Sequence, residues 1–409
     1  MAIIRKSNCV WGVFLLSLIF VGESQVSKQF VQTKNTQFVL DGSSFVFNGF
    51  NSYWMMTVAA SDKSQMSKIS NVFAQAKAAG LNVCRTMAYS DGSNPLALQT
   101  SPGLYNENVF QALDFVVSEA RKYNVKLIMS LVNNYKDLGG RPQYVQWAKN
   151  AGVQITSDDD FYTNAVIKGY YKNHVKKVLT RVNTINKIAY KDDPTIMAWG
   201  LMNEPRSDPK NGNLLNGWIQ EMGAYVKSID NKHLLTIGME GLYGDDTPHR
   251  KQYNPGNFTV GTEFIKNHLV KQIDFSTIHA YPDLWLQGKS EKERTDFLHR
   301  WIDSHLKDSM TILKKPLIVE EFGRIVKGNN VEYRDSFMKD VYSYIYEKAK
   351  SSNGGMAGGM VWQIMSEGME SYSDGHQIIL SQSPSTAKII HDQSTRMAAL
   401  KHKFLANKN

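Results

Sequence analysis

The sequence predicts an α/β fold, a single (β/α)8 TIM barrel with loop insertions at the C-terminal face. Three observations carry this. Eight short apolar runs, each preceding or following an amphipathic helical segment, recur along the chain, as parallel strands with helical crossovers require. Each apolar run ends in or near a polar or aromatic residue, in order Asn51, Arg85, Asn133, Glu204, Glu240, His279, Glu321 and Trp362. No Pro/Ser-rich linker or low-complexity tract divides the 409 residues, so residues 25–409 read as one domain, within the size range of a barrel with insertions.

The first strand is Phe45-Val46-Phe47, running into Asn48 to Asn51. Val72 to Ala79 has helical spacing, Gly80 closes that helix, and Leu81 to Met87 is the second strand. From Asn106 to Arg121, Val109, Leu113, Val116, Val117 and Ala120 fall on one helical face, and Val125 to Leu131 follows as the third strand. A helix over Gly169 to Tyr190 is broken by Asp192-Asp193-Pro194 and leads to the strand Ile196 to Leu201. The remaining helix–strand pairs are Leu215 to Ile229 with Leu234 to Met239, Phe264 to Val270 with Ile273 to Ile278, and Phe297 to Leu306 with Leu317 to Val319. Phe337 to Ala349 leads through Gly354-Gly355 into the last strand, Met360 to Gln363.

Composition narrows the setting. Hydrophobic residues make up 42% and charged residues 21%, enough apolar material for a large core. Residues 1–24 have the plan of a secretory signal peptide: Arg5 and Lys6, an apolar stretch from Val10 to Val21, and small residues at the end. No later run is long enough to span a bilayer, so a secreted, extracellular chain without a membrane segment after cleavage is expected. Cys9 lies in that leader, which leaves Cys84 alone and no internal disulfide. Asn257-Phe258-Thr259 is a glycosylation sequon. The net charge of +9 is dispersed, without the dense basic run that nucleic acid would call for. No long heptad stands out, and a monomer is expected.

Two strand ends deliver carboxylates. Trp199-Gly200-Leu201-Met202-Asn203-Glu204-Pro205 ends the fourth strand, and Pro205 biases Glu204 away from helix. Pro316-Leu317-Ile318-Val319-Glu320-Glu321 ends the seventh. Strand tips are where barrels carry their chemistry, and strands four and seven can face one cleft. Two opposed carboxylates suit glycoside hydrolysis, one protonating the leaving oxygen and the other attacking the anomeric carbon. The first then needs a raised pKa and the second a low one. Arg85 can hold Glu321 ionised, Tyr281 can donate to it, and His279 can orient the cluster. Asn203 is placed for a sugar hydroxyl, and Trp362 for a sugar face. Other chemistries lack their signatures: there is no Gly-x-Ser-x-Gly elbow, no glycine-rich phosphate loop and no metal-ligand spacing among the histidines. Cys84 reads as a core thiol, and Asp158-Asp159-Asp160 as a loop or helix cap.

At Asn203-Glu204-Pro205 and Glu321-Phe322-Gly323 the chain resembles glycoside hydrolase family 5, and within it the plant-type endo-β-1,4-mannanases. Further landmarks are Phe47 to Trp54, Val132 to Tyr135, Gly139 to Tyr144, Ile278 to Trp285 and Gly368 to Gly375. The resemblance implies retaining, endo-acting hydrolysis of β-1,4-mannosidic bonds in mannan, glucomannan and galactomannan, with no metal or organic cofactor. It implies Glu204 as acid/base, Glu321 as nucleophile, and a substrate-binding shell of Trp54, Arg85, Asn203, His279, Tyr281, Trp285 and Trp362. The same intermediate passed to a sugar hydroxyl would make a mannan transglycosylase. A weakly active mannan-binding wall protein and a β-1,4-glucanase are further alternatives.

The chain departs from the family pattern at Met87, where a Trp is usual, at Gly200, where a Glu is usual, and at Glu320, where a small or neutral residue is usual. Arg324-Ile325 also stands in place of Lys-Ser. Met87 softens a sugar platform or its support. Strand alternation should turn Glu320 away from Glu321; turned inward, its charge would raise the nucleophile's pKa.

Overall fold

In the computed structural model, residues 29–211, 214–256, 258–326 and 330–406 are described, with side chains to residue 400. The leader at 1–24 and Asn257 lie outside the described residues. Eight parallel strands form the barrel: β1 (Phe47–Asn51), β2 (Val83–Met87), β3 (Lys126–Ser130), β4 (Ile196–Gly200), β5 (Leu234–Thr236), β6 (Ser276–Ala280), β7 (Leu317–Phe322) and β8 (Met356–Val361). All their residues are buried, the reason the strands read as apolar runs rather than alternating ones. Hydrogen-bonded neighbours run β5-β4-β3-β2-β1-β8-β7-β6. Bonds from Asp274 N to Leu235 O (2.8 Å) and His279 N to Glu240 O (2.9 Å) close the ring between β5 and β6.

The connecting helices are α1 (Met66–Ala78), α2 (Glu107–Lys122), α3 (Ala165–Leu179), α4 (Leu214–Ile229), α5 (Phe264–His268), α6 (Glu291–Asp308), α7 (Val331–Ser351) and α8 (Pro384–Ala406). Helix α2 shows how sequence sets them: Asn106 accepts from Asn108 N as N-cap, Arg121 and Lys122 sit at the negative end, and Val109, Leu113, Val116 and Val117 are buried.

Several element bounds differ from the sequence reading. The first strand begins at Phe47 rather than Phe45, because Phe45 pairs back onto Phe38. The helix expected over Gly169 to Tyr190 ends at Leu179, and Asn183 then organises a turn by accepting from Ile185 N and Asn186 N. Strand β8 starts four residues earlier than expected. Its glycines disguise it, yet a Cβ on Gly358 would sit 2.6 Å from Phe47 O, so β1 and β8 approach each other only without a side chain there.

Two apolar clusters divide the molecule. The larger lies between strands and helices and holds Leu317, Val319 and Phe322 from β7. The smaller plugs the lower end of the barrel with Val31, Phe38, Phe45, Phe47, Phe275 and Ile318. A three-stranded antiparallel flap, Gln32–Lys34, Gln37–Leu40 and Ser43–Ser44, supplies part of that plug.

Candidate active site

Glu204 is delivered by the extension of β4. Its backbone is fixed on both sides: Asn203 N donates to Val132 O and Glu204 N to Gly238 O, both at 2.8 Å. Gly238 permits this approach, with φ +91 and only 2.3 Å between an added Cβ and Met202 O. Glu204 itself has φ 47, a left-handed conformation that costs a residue of its kind roughly 1–3 kcal/mol. That expense against stability aims a carboxylate into the cleft.

Glu321 arrives through a break in the register of β7. Ile278 pairs with Val319 and His279 with Glu321, so Glu320 is skipped. Towards β8 the register shifts again, between Val319 and Phe322. This is a bulge, which re-aims side chains. Ile318 faces the interior plug and Val319 the helices, so alternation turns Glu320 inward, and the bulge brings Glu321 to the same side. The expectation that Glu320 points away from Glu321's side is corrected: both reach Arg85, Glu321 at 2.5 Å from Nη1 and Glu320 at 3.6 Å from Nε.

Arg85, 1% exposed, organises the floor. Nη1 donates to Glu321 Oε1 and, at 3.2 Å, to Asn51 Oδ1, and Nη2 donates to Asn203 Oδ1 at 2.6 Å. Tyr281 OH donates to Glu321 Oε2 at 2.7 Å. Asn203 Nδ2 donates to Asn133 Oδ1, which leaves its amide one further hydrogen for a ligand. His279 Nδ1 is 2.6 Å from Glu204 Oε1 and 3.5 Å from Glu321 Oε2. One ligand-type atom from each of Glu204, His279 and Glu321 lies within 4.8 Å of the others. A cation would find these atoms already engaged with one another and with Arg85 and Tyr281, so the set is built as a hydrogen-bonded carboxylate pair.

Burial pushes both carboxyls up, and their neighbours separate them. His279 pulls Glu204 below the ordinary range, with help from Arg206 and Tyr135. Glu321 stays raised by burial and by Glu204, against the pull of His279, Arg85 and Tyr281. This order is opposite to the one the roles of acid and nucleophile require. The acid's half of that order turns on the place of one proton. With an imidazolium at His279, Glu204 is a carboxylate; moving that proton along the 2.6 Å contact from Nδ1 to Oε1 makes Glu204 the acid, and takes from Glu321 both the charge of Glu204 that raises it and the charge of His279 that lowers it.

The cleft above has a volume of about 460 Å³, the size of a small-ligand site. Asn203, Glu204, Tyr281, Trp285, Glu321 and Trp362 line it, as the sequence reading expects, and Arg85 and His279 lie directly beneath. Trp54 does not reach it. That side chain is fully buried, with Nε1 donating to Ile364 O. The neighbouring Tyr53 stands in the cleft instead, stacked on Trp362 with centroids 5.8 Å apart and planes 7° apart. Trp362 is held by Nε1 donating to Asp374 Oδ2 at 2.6 Å. Met87 lines the floor. Gly200 is buried opposite Ser130.

The sequence reading also missed Tyr89, Tyr135, Arg206, Glu240, Asp374 and His376, all on the cleft wall. Arg206 grips Glu240 through Nε and Nη2 at 2.8 and 2.7 Å. Burial, then Glu204, raise Glu240 to about 7 against that grip. Glu240 had a signal, its place at a strand end; Arg206 follows the Asn-Glu-Pro tripeptide directly.

Comparison with known proteins agrees with this geometry. A mannan endo-1,4-beta-mannosidase from Solanum lycopersicum is 55% identical to this chain over 409 residues, covering 97% of it and 98% of the relative. One from Oryza sativa subsp. japonica is 50% identical, covering 92% and 87%. Among solved structures, an endo-1,4-beta-mannanase from Rhizomucor miehei superposes with a TM-score of 0.76 at 30% identity, over 91% of this chain and 100% of that one. An endo-beta-1,4-mannanase from Thermotoga petrophila gives 0.74 at 29% identity, over 87% and 77%. The family model described as GH family 5 beta-mannosidase-like matches residues 28–377. Barrel, carboxylate pair and whole-length similarity converge, and the chain belongs to glycoside hydrolase family 5.

Proposed function

We propose that this enzyme hydrolyses internal β-1,4-mannosidic bonds of mannan, glucomannan and galactomannan with retention of configuration. One observation carries the reading. One oxygen of Glu204 and one of Glu321 lie within 4.8 Å of each other, which favours the separation of about 5–5.5 Å used by retaining glycosidases over the roughly 6.5–9.5 Å that leaves room for an inverting water. Glu204 gives its proton to the glycosidic oxygen while Glu321 attacks the anomeric carbon. Glu204 then takes a proton from water, which releases the sugar from Glu321. Tyr281 and Arg85 favour the anion of Glu321 against its burial, and Asn203 meets the sugar beside it. Tyr53, Trp285 and Trp362 offer apolar faces to the chain. No described helix is long and apolar enough to cross a membrane. That is compatible with secretion of a monomer after loss of residues 1–24, carrying a glycan at Asn257.

The test incubates the secreted protein with glucomannan, galactomannan and a soluble cellulose derivative, following reducing ends and product size. New reducing ends from the mannans are expected. Glu204→Ala and Glu321→Ala should each lower the rate by orders of magnitude. Product lengthening without new ends would replace hydrolysis by transfer, and full activity in either variant would refute the residue assignment.

A further inference from the structure

Glu320 is a wholly buried carboxylate that the mechanism above does not use. It lies under the site: Oε2 is 3.4 Å from His279 Nε2 and Oε1 is 3.6 Å from Arg85 Nε. Both contacts are long. Glu320 Oε1 and Arg85 Nε have no hydrogen-bond partner. A core carboxylate held this loosely recovers little of its desolvation cost, so stability does not account for it. What its position does is distinctive. Of the groups it faces, one is His279, the partner of Glu204, and the other is the guanidinium that holds Glu321.

We propose that Glu320 is a positioning residue, accepting from His279 Nε2 and pairing with Arg85 Nε, so that Nδ1 of His279 stays turned to Glu204 and the terminal nitrogens of Arg85 stay turned to Glu321 and Asn203. An imidazole has two nitrogens, and the partner of one decides the proton state of the other. With Nε2–H committed to Glu320, a single proton is shared between His279 Nδ1 and Glu204 Oε1. When it sits on Oε1, Glu204 is neutral and ready to donate, and His279 is neutral. When it returns to Nδ1, Glu204 is a carboxylate and His279 a cation. The charged groups around this pair are Glu320 and Glu321 on β7, Arg85 on β2, and Glu240 after β5, whose carboxyl senses both Glu204 and His279. Arg206 acts on Glu204 and Glu240, Tyr135 bonds Glu204, and Tyr281 bonds Glu321. Burial opposes a charge on His279, yet Glu321, Glu204 and Glu320 together raise it to about 10, in keeping with a proton retained in the pair across neutral pH.

This rests on Glu204 acting as the acid, so the test reads the imidazole as well as turnover. In protein labelled with 15N-histidine, the His279 signal, assigned by its loss in His279→Asn, should show a proton on Nε2 throughout the folded range. An unprotonated Nε2 would overturn the proposal without any variant of Glu320 being needed. Glu320→Gln keeps an acceptor and removes the charge. Its His279 titration and the alkaline limb of kcat/KM on a soluble mannooligosaccharide should both move to lower pH. A full charge at this range is worth about 1–3 pH units. The melting temperature should stay level or rise. Folded Glu320→Gln with an unmoved His279 titration would sink the idea, as would a falling melting temperature with an unchanged pH profile. If the wild type fails to cleave mannan, the reading of substrate fails while the imidazole measurement still decides this one.

Discussion

Arg85→Lys tests whether the site depends on charge at Arg85 or on the shape of the guanidinium. Arg85 reaches three ways: Nη1 to Glu321 and Asn51, Nη2 to Asn203, and Nε towards Glu320. A lysine keeps the positive charge but has one nitrogen, without the planar fork. Held at Glu321, it abandons Asn203 Oδ1, now 2.6 Å from Nη2. A hydrogen bond from a charged donor contributes about 1.5–3 kcal/mol, which by transition-state arithmetic is roughly 10- to 150-fold in kcat/KM. Because Arg85 is 1% exposed and lies below the carboxylates, the loss should fall on kcat, with KM little changed. The orphaned Asn203 oxygen adds about 1–3 kcal/mol of desolvation, lowering the melting temperature by a few degrees. Initial rates on a mannooligosaccharide series and a thermal melt supply both numbers. Activity within twofold of wild type in a folded Arg85→Lys protein would show that charge alone suffices and refute the fork argument.

Three further outcomes are expected. Tyr281→Phe removes the donor 2.7 Å from Glu321 Oε2; since that bond favours the ionised form, Glu321's pKa rises further and the acid limb of the kcat/KM profile moves up by about 1–2 units, taking about 1.5–3 kcal/mol for the bond. Tyr53→Ala strips the ring stacked on Trp362 and should raise KM up to about tenfold, from an aromatic contribution of about 0.5–1.5 kcal/mol, whereas Trp54→Phe, deep in the core, should lower the melting temperature and leave KM unchanged. Cys84 is buried, and burial raises its thiol well above the ordinary range; mass spectrometry should find it unalkylated in the folded protein and alkylated in denaturant.

The barrel was legible because buried parallel strands are apolar throughout, and because each ends where polar residues begin. The pair Glu204 and Glu321 was legible for the same reason, and the geometry supplies the contacts foreseen from Arg85 and Tyr281. What period-two alternation does not register is a residue inserted into the ladder. At Glu320 such a bulge changed which side chains share a face. Trp54 went astray for a related cause: one residue separates a ring in the cleft from a ring in the core, and Tyr53-Trp54 offers an aromatic at both positions. Arg206 and Glu240 pair across two loop connections, a contact no local pattern announces.

The charge of the assembled site explains why a proton must be resident there. Four carboxylates, Glu204, Glu240, Glu320 and Glu321, face two arginines, Arg85 and Arg206, and the imidazole of His279, through the contacts described. With every carboxyl ionised and His279 neutral, the set carries two negative charges in excess, in surroundings where an uncompensated charge is expensive. One proton more halves the excess, and the candidates to hold it differ in their partners. Glu240 is clamped by both nitrogens of Arg206, and Glu321 by Arg85 and Tyr281. Both clamps favour the anion. Glu204 faces His279 Nδ1 across 2.6 Å, so a proton placed between them keeps the hydrogen bond whichever group carries it. With Gly200 supplying no carboxylate from β4, Glu320 is what brings the count of anions to four and the excess without that proton from one to two, and hence what strengthens the hold of the resting site on that proton before substrate arrives.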